Sequence, residues 1–463
     1  MRPCFKISYK CLAAERGICY THAMEENPVS LWSKNFTIIT VGSLISMLGS
    51  AVAGWAMGLL VYAETENSVA FAAFMVLYSL PRILLPLFVG PYLDRFSRRK
   101  VIYTLDFVSA GLYVILFFIL YNGLFNYYAF LAGSILIGSI DSVYNVAYES
   151  LYPNLIPKGN FRKAYSISSL LYPLSAAVMI PVAGLAYTVS DKGIAFLFLF
   201  NAVTFLIAAI FETRIQLDET AITSKGGTTL KRFVQDFREG LAYLKHEKGL
   251  LVITAYFFTT MLAYGVTNVL LKPYFYRMAP ETIPAPFTTG VLLFTVVSAS
   301  NTVGRLAGGG IQYFLRYPTD KKFTIAIFIY LAICVLDGGY LFLPNSLWWG
   351  MCLMNMLGGI LAVNSFNIRV AATQSYVPDA VRGRFNGVFL MINMLGSIAG
   401  QLIGGAIGAV VNDQAAVLTL FGTSFQLTVP HVVLLVNVFN AICVLTIMLP
   451  GRRHVKRIYN VPI

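Results

Sequence analysis

Three ionisable side chains, Arg82, Asp106 and Asp141, stand inside long apolar runs. In a bilayer such a group costs about 2.5–3.5 kcal/mol on insertion scales, so it normally faces an aqueous cavity or a partner. Asp141 and Arg82 each lie near the middle of a run. They are candidates to pair, with Asp141 as a proton site that responds to Arg82 or to a bound molecule. A static structural ion pair is the competing reading. Asp106 lies nearer the end of its run, as a further proton-coupling candidate or a member of the adjoining loop's network. Arg305 and Arg369 are placed where a long side chain can snorkel. Candidates to line a central path are Trp55, Tyr144, Asn145, Tyr148, Tyr264, Asn268, Asn364, Asn367 and Asn393. Three- and four-residue spacing puts Tyr144, Asn145 and Tyr148 on the helix face of Asp141. Mixed aromatic and amide linings suit amphipathic organic molecules, although each residue alone serves equally as an interhelical hydrogen bond.

The elements that must position these residues are membrane spans. Of 463 residues, 57% are hydrophobic and only 12% charged, with a mean hydropathy of +0.70. Soluble domains carry roughly 25% charged residues. Twelve apolar segments are each long enough to cross a hydrocarbon core as a helix: 35–63, 69–92, 101–121, 126–151, 164–187, 194–213, 249–272, 286–309, 323–343, 347–372, 385–411 and 429–450. The net charge of +13 does not indicate nucleic acid, because the basic residues sit in short clusters between spans. Outside the loops and tails of one face stand only Arg82, Lys192, Lys272, Arg277, Arg305 and Arg369. That bias puts both termini in the cytosol.

The chain divides into a cytosolic tail (1–34), a six-helix bundle (35–213), a linker (214–248), a second six-helix bundle (249–450) and a basic cytosolic tail (451–463). Residues 1–23 precede Met24 and lack an apolar core of signal-peptide length, so Met24 reads as the start and 1–23 as an extension. In the linker, Leu230, Phe233, Phe237, Leu241 and Leu244 recur at helical spacing, which predicts an amphipathic helix along the cytosolic surface. A solvated linker is the alternative. The halves echo each other. Ile156-Pro157, Lys163 and Gly184 match Val377-Pro378, Arg384 and Gly405 at one constant offset. Gly396, Gly400, Gly404 and Gly408 give span eleven a smooth face suited to close packing.

The most specific stretch is Gly90-Pro91-Tyr92-Leu93-Asp94-Arg95-Phe96-Ser97-Arg98-Arg99-Lys100, between spans two and three. It resembles the signature loop of the major facilitator superfamily, with Ser97 where that family usually has a second glycine. The resemblance implies an all-α membrane protein of twelve transmembrane helices in two pseudo-symmetric six-helix bundles. It further implies a gating loop in which Asp94 docks on the start of the eleventh helix at Arg382-Gly383-Arg384. There Arg95 and Arg99 belong to the basic cluster, and Glu149 pairs with Arg98. Ser33-Lys34-Asn35-Phe36, Ser46, Gly49, Arg82, Asp106 and Glu239-Gly240-Leu241 are similar to the drug:proton antiporter branch that includes macrolide exporters. Span five reads Ile180-Pro181-Val182-Ala183-Gly184, where antiporters of that superfamily commonly carry Gly-Pro-x-x-Gly.

The function expected is therefore a monomeric, proton-driven exporter of amphipathic small molecules in the plasma membrane. An importer or facilitator of the same fold is the alternative. The expected partners are the lipid bilayer and the substrate, with no nucleic acid. The four histidines, His22, His246, His431 and His454, are not at metal-ligand spacing, and no glycine loop suited to phosphate is present. These patterns argue against an enzyme, a metal site, a cofactor and a nucleotide-driven pump. Neither a filter-like loop nor charged rings suggest a channel.

Overall fold

The computed structural model describes residues 30–93, 96–157, 160–190, 192–216, 230–314, 317–413, 417–420 and 423–460. Its helices are α1 (Lys34–Thr65), α2 (Ser68–Leu93), α3 (Arg98–Tyr121), α4 (Tyr127–Leu155), α5 (Phe161–Val189) and α6 (Gly193–Glu212), then α7 (Leu230–His246). The second set is α8 (Lys248–Tyr276), α9 (Gly290–Phe314), α10 (Lys322–Gly339), α11 (Trp348–Tyr376), α12 (Asp379–Gly408) and α13 (Val429–Cys443), followed by α14 (Arg452–Tyr459). Twelve of these segments are long and apolar enough to cross a membrane. Most helices start within three residues of the sequence reading, and two starts differ by more. The eighth span begins at Gly290 rather than 286, and the eleventh at Asp379 rather than 385. Among the described residues, one antiparallel hairpin departs from helix, Val417–Leu420 against Thr423–Gln426 between α12 and α13.

Polar residues at the span ends set the boundaries. Ser33 accepts from the Phe36 N–H at 3.2 Å, and Asn126 from the Ala129 N–H at 3.1 Å. Ser97, where the signature loop usually has glycine, accepts from the Lys100 N–H at 3.2 Å and so starts α3. Each cap satisfies a backbone donor that has no partner within its helix.

The two halves repeat one packing scheme. In the first, α2 packs on α4, α3 on α6, and α1 on α5 and α6. In the second, α9 packs on α11, α10 on α13, and α8 on α12 and α13. The halves meet through α5 against α9 and α12 against α2, which are equivalent pairs under the same repeat. Large apolar side chains such as Phe118, Phe328 and Val335 remain exposed on the outer faces, as lipid-facing residues do.

Between spans the hydrophobic effect contributes little, so close backbone approach has to hold the helices together. The glycine stripe of α12 serves this purpose. A Cβ at Gly400 would collide with the Leu262 carbonyl of α8, and one at Gly404 would lie 2.9 Å from the Val266 Cα. Gly184 and Gly405, paired by the sequence echo, occupy the two equivalent contacts between halves. Gly184 faces Thr295, and Gly405 faces Ala72.

The linker helix does more than lie on a surface. Leu244 of α7 is buried in the core of the second half, with Phe237 and Leu241 packed against that core. A Cβ at Gly240 would come within 2.8 Å of the Arg384 carbonyl. The C-terminal tail likewise folds onto this half, with Val455, Ile458 and Tyr459 of α14 buried. Tyr459 and Tyr330 share a hydroxyl hydrogen bond of 2.9 Å, and burial pushes the Tyr459 phenol up to about 12.

Candidate functional site

We call the end of the bundle where α2 gives way to α3 the loop end, and the opposite end the far end. A cavity of about 790 Å³ lies between the halves, lined by α2, α4, α7 and α12. Its deeper wall includes Ser79, Ser142 and Ser397. Its loop-end mouth carries Glu149, Asp236, Gly383 and Arg384. One side is apolar and adaptable, with Leu390, Met391 and Met394 from α12. The other presents Arg82 and Asn145.

The far end is sealed. Tyr62, Phe71, Ala72 and Val269 form an apolar cluster joining α1, α2 and α8. The Tyr62 and Tyr276 rings meet edge to face at 5.6 Å. Arg277, which caps the end of α8, donates to the carbonyl of Glu66, which caps the end of α1, at 2.8 Å. Lys272 of α8, the last residue of the seventh span in the sequence reading, reaches across the halves to the Trp55 carbonyl at 3.5 Å. Among the described residues the cavity therefore opens toward the loop end.

The proton-coupling candidates occupy two places. Asp141 Oδ2 accepts from the Tyr78 hydroxyl at 2.6 Å. The Arg82 guanidinium lies 5.8 Å from the Tyr78 ring centre. The direct Arg82–Asp141 ion pair expected from the sequence is therefore replaced by a tyrosine that holds the carboxylate, leaving Arg82 exposed to the cavity. Asp106 is buried at 1% exposure and belongs to no loop network. It faces Glu212, a residue the sequence reading passed over as a span end. Glu212 Oε1 accepts from the Tyr144 hydroxyl at 3.2 Å.

Of the path candidates, Asn145 lines the cavity. Tyr144 and Tyr148 instead stack with rings 6.1 Å apart on the Glu212 side of α4. Trp55 is buried in the first-half core. Asn364 accepts from Tyr317 at 2.8 Å, and Asn393 donates to the Phe389 carbonyl at 2.7 Å, both within the second half. Asn268 and Asn367 are half-buried on α8 and α11. Tyr264 on α8 is exposed, as is Tyr172 of α5, which the sequence reading did not single out.

Asp94 and Arg95 lie outside the described residues, and Gly90 falls in the last turn of α2. The docking expected of Asp94 on the start of the eleventh span therefore lies outside the described residues. Arg98 donates to the Ser150 carbonyl at 3.3 Å instead of pairing with Glu149. Glu149 shares its helix face with Ser142, Asn145 and Val146, and that face lines the cavity. Arg99 donates to the Ile215 carbonyl. Arg382 folds back onto the Val377 carbonyl at 3.2 Å. Arg384 makes two ion pairs with the linker helix, to Asp236 at 2.7 Å and Glu239 at 2.8 Å.

Two other spanning charges find partners where snorkelling was expected. Arg369 is enclosed by Phe257, Phe366 and Phe389, with ring centres at 4.9, 5.0 and 4.6 Å. Arg305 donates to Asn301 at 3.1 Å near Asp337, a carboxylate in span nine that the sequence reading did not single out.

Twelve spans in two repeated halves, with a central cavity open at one end, define a membrane transporter. Residues 39–401 match the Major Facilitator Superfamily, and the chain belongs to that family. It is 25% identical over 367 residues to the uncharacterized MFS-type transporter YkuC of Bacillus subtilis (strain 168), covering 77% of this chain and 81% of that protein. It is 23% identical over 250 residues to macrolide efflux protein A of Streptococcus pyogenes, covering 53% of this chain and 60% of that protein. Among solved structures it resembles the nucleoside transporter NupG, with a TM-score of 0.65 at 14% identity, covering 90% of this chain and 98% of that one. It also resembles a D-xylose-proton symporter, with a TM-score of 0.61 at 12% identity, covering 90% of this chain and 97% of that one. At these identities the solved structures speak for the fold alone.

Proposed function

We propose that this transporter exports amphipathic small organic molecules in exchange for protons, by alternating access of the central cavity. The observation that carries the substrate class is the cavity wall, where methionine and leucine on α12 face Arg82, Asn145 and Glu149. Its volume falls in the range of small-molecule sites, and a mostly apolar wall with few polar groups orients an amphipathic ligand. Flexible methionines let such a wall accept several shapes.

The direction rests on the likeness to macrolide efflux protein A and on charge. The basic residues at the loop end favour a cytosolic location for that end and for both termini in the plasma membrane. In this orientation the cavity faces the cytosol, the state in which an exporter loads. A proton entering through 100 mV releases about 2.3 kcal/mol, and each pH unit adds about 1.4. One titrating carboxylate therefore suffices to drive a neutral substrate uphill. Asp141 fills that role, one turn from Asn145 on the cavity wall. The protein works as a monomer and needs no cofactor. The test is a thermal-stabilisation screen of the purified chain against macrolides, nucleosides and sugars. Stabilisation by macrolides supports the reading, and stabilisation by sugars or nucleosides alone contradicts it.

A further inference from the structure

Asp106 on α3 and Glu212 at the end of α6 face each other inside the first half, at 1% and 0% exposure. We propose that these two carboxyl groups form a second proton-binding site, holding one proton between them while the cavity is open at the loop end. The site is separate from Asp141 and goes beyond the export reading.

The argument rests on what surrounds the pair. As carboxylates, neither group has a hydrogen to donate. Both oxygens of Asp106 and Oε2 of Glu212 accordingly have no hydrogen-bond partner. One donor serves the four oxygens, the Tyr144 hydroxyl on Glu212 Oε1. Among the described residues no ion pair reaches either carboxyl. The elements packed around the pair bring no positive charge to it among the described residues. From α4 come Tyr144, Tyr148 and Asp141, the last acting on Asp106 as another negative charge. From α1 comes Gly42, where an added Cβ would lie 3.6 Å from Glu212 Cγ, so the carboxyl is pressed against uncharged backbone.

Two carboxyl groups in contact, shielded from water and without a cation, cannot both stay ionised. A single proton resolves the contact, because it converts one acid into the missing donor for the other. That proton belongs to the pair rather than to either residue. Asp141 differs, because it already has Tyr78 as donor and Arg82 nearby. Tyr144 neighbours the cavity-lining Asn145 on α4, so rotation of α4 during closure alters the donor that holds Glu212.

The test uses the full chain in lipid nanodiscs, titrated by infrared difference spectroscopy with a parallel count of protons released on alkalinisation. The wild type and Asp141→Asn should both show a protonated-carboxyl carbonyl band assigned to the pair. Asp106→Asn and Glu212→Gln should both lose that band and release one proton fewer per molecule. Tyr144→Phe should keep the band and shift its frequency. If a carboxamide variant does not fold, the wild type and Tyr144→Phe decide alone. Absence of the band from the wild type, or its survival unshifted in every variant that folds, overturns the proposal. This readout needs no transport, so a failure of uphill export leaves it standing, and the reverse also holds.

Discussion

Arg384 Nε donates to Asp236 Oδ1 at 2.7 Å, which fastens the linker helix to the start of α12. Glu239 grips the same guanidinium from the next turn of α7. The clasp holds α7 on the second half, where Asp236 and Phe237 form part of the cavity mouth. All three side chains are more than a third exposed, so water screens the pairs, and together they contribute about 1 kcal/mol or less. That is small for folding but is about a fivefold change in a two-state equilibrium.

Arg384→Gln should therefore leave the folded protein nearly as stable while disfavouring the loop-open state by up to about fivefold. Thiol-labelling rates at a cysteine replacing Met391 report the change. Arg384→Lys should fall between, because an ammonium cannot fork to two carboxylates. Equal labelling in all three proteins would mean the clasp has no influence on access.

The far-end seal depends on small residues. Gly405→Val would drive a branched side chain into Ala72 of α2, and overpacking of this kind costs about 1–3 kcal/mol. The strain exists only when the far end is closed, so the variant should favour far-open states and lose net transport. Spin-label distances across the far end, between α2 and α12, should lengthen. Unchanged distances would show that the contact tolerates bulk.

Legibility followed the range of the signal. Twelve spans were readable because each averages hydropathy over some twenty residues, and the Gly184–Gly405 echo survived because both positions serve the same helix crossing. Glu212 and Asp337 were not. Glu212 stands beside Thr213 and Arg214 and resembles an ordinary span end, although its helix packs on α1 and α3 and Glu212 itself meets Tyr144 of α4. Arg98 and Glu149 lie at span ends that adjoin, but helix rotation turns Glu149 to the cavity and leaves Arg98 at the Ser150 carbonyl. The docking of α14 depends on Val455, Ile458 and Tyr459, too few apolar residues among basic ones to announce a buried face.

That docking is strong enough to measure. Tyr459→Ala removes a fully buried ring and its bond to Tyr330, and should destabilise the protein by about 3–5 kcal/mol. Substrate affinity should not change, since α14 lies outside the cavity wall. Thermal unfolding and ligand titration of the same preparation separate the two effects. A loss of affinity with normal stability would place the tail in the substrate path.

The cavity wall makes a prediction about size. Met391→Trp should fill much of the space beside Asn145 and reduce transport of bulky substrates more than that of small ones, by tenfold or more for about 1.4 kcal/mol of lost binding. Competition assays with substrates graded by size read this directly. A uniform reduction would mean that Met391 acts on the conformational cycle rather than on fit.

The central claim is proton-driven export through a cavity coupled to Asp141. Its most direct measurement is the flux of a radiolabelled macrolide in everted membrane vesicles under an imposed pH gradient, acid inside. The wild type should accumulate the label against its gradient, and collapse of the pH difference should stop it. Asp141→Asn should retain substrate exchange but lose accumulation. Accumulation that ignores the pH gradient, or that persists undiminished in Asp141→Asn, would contradict the account.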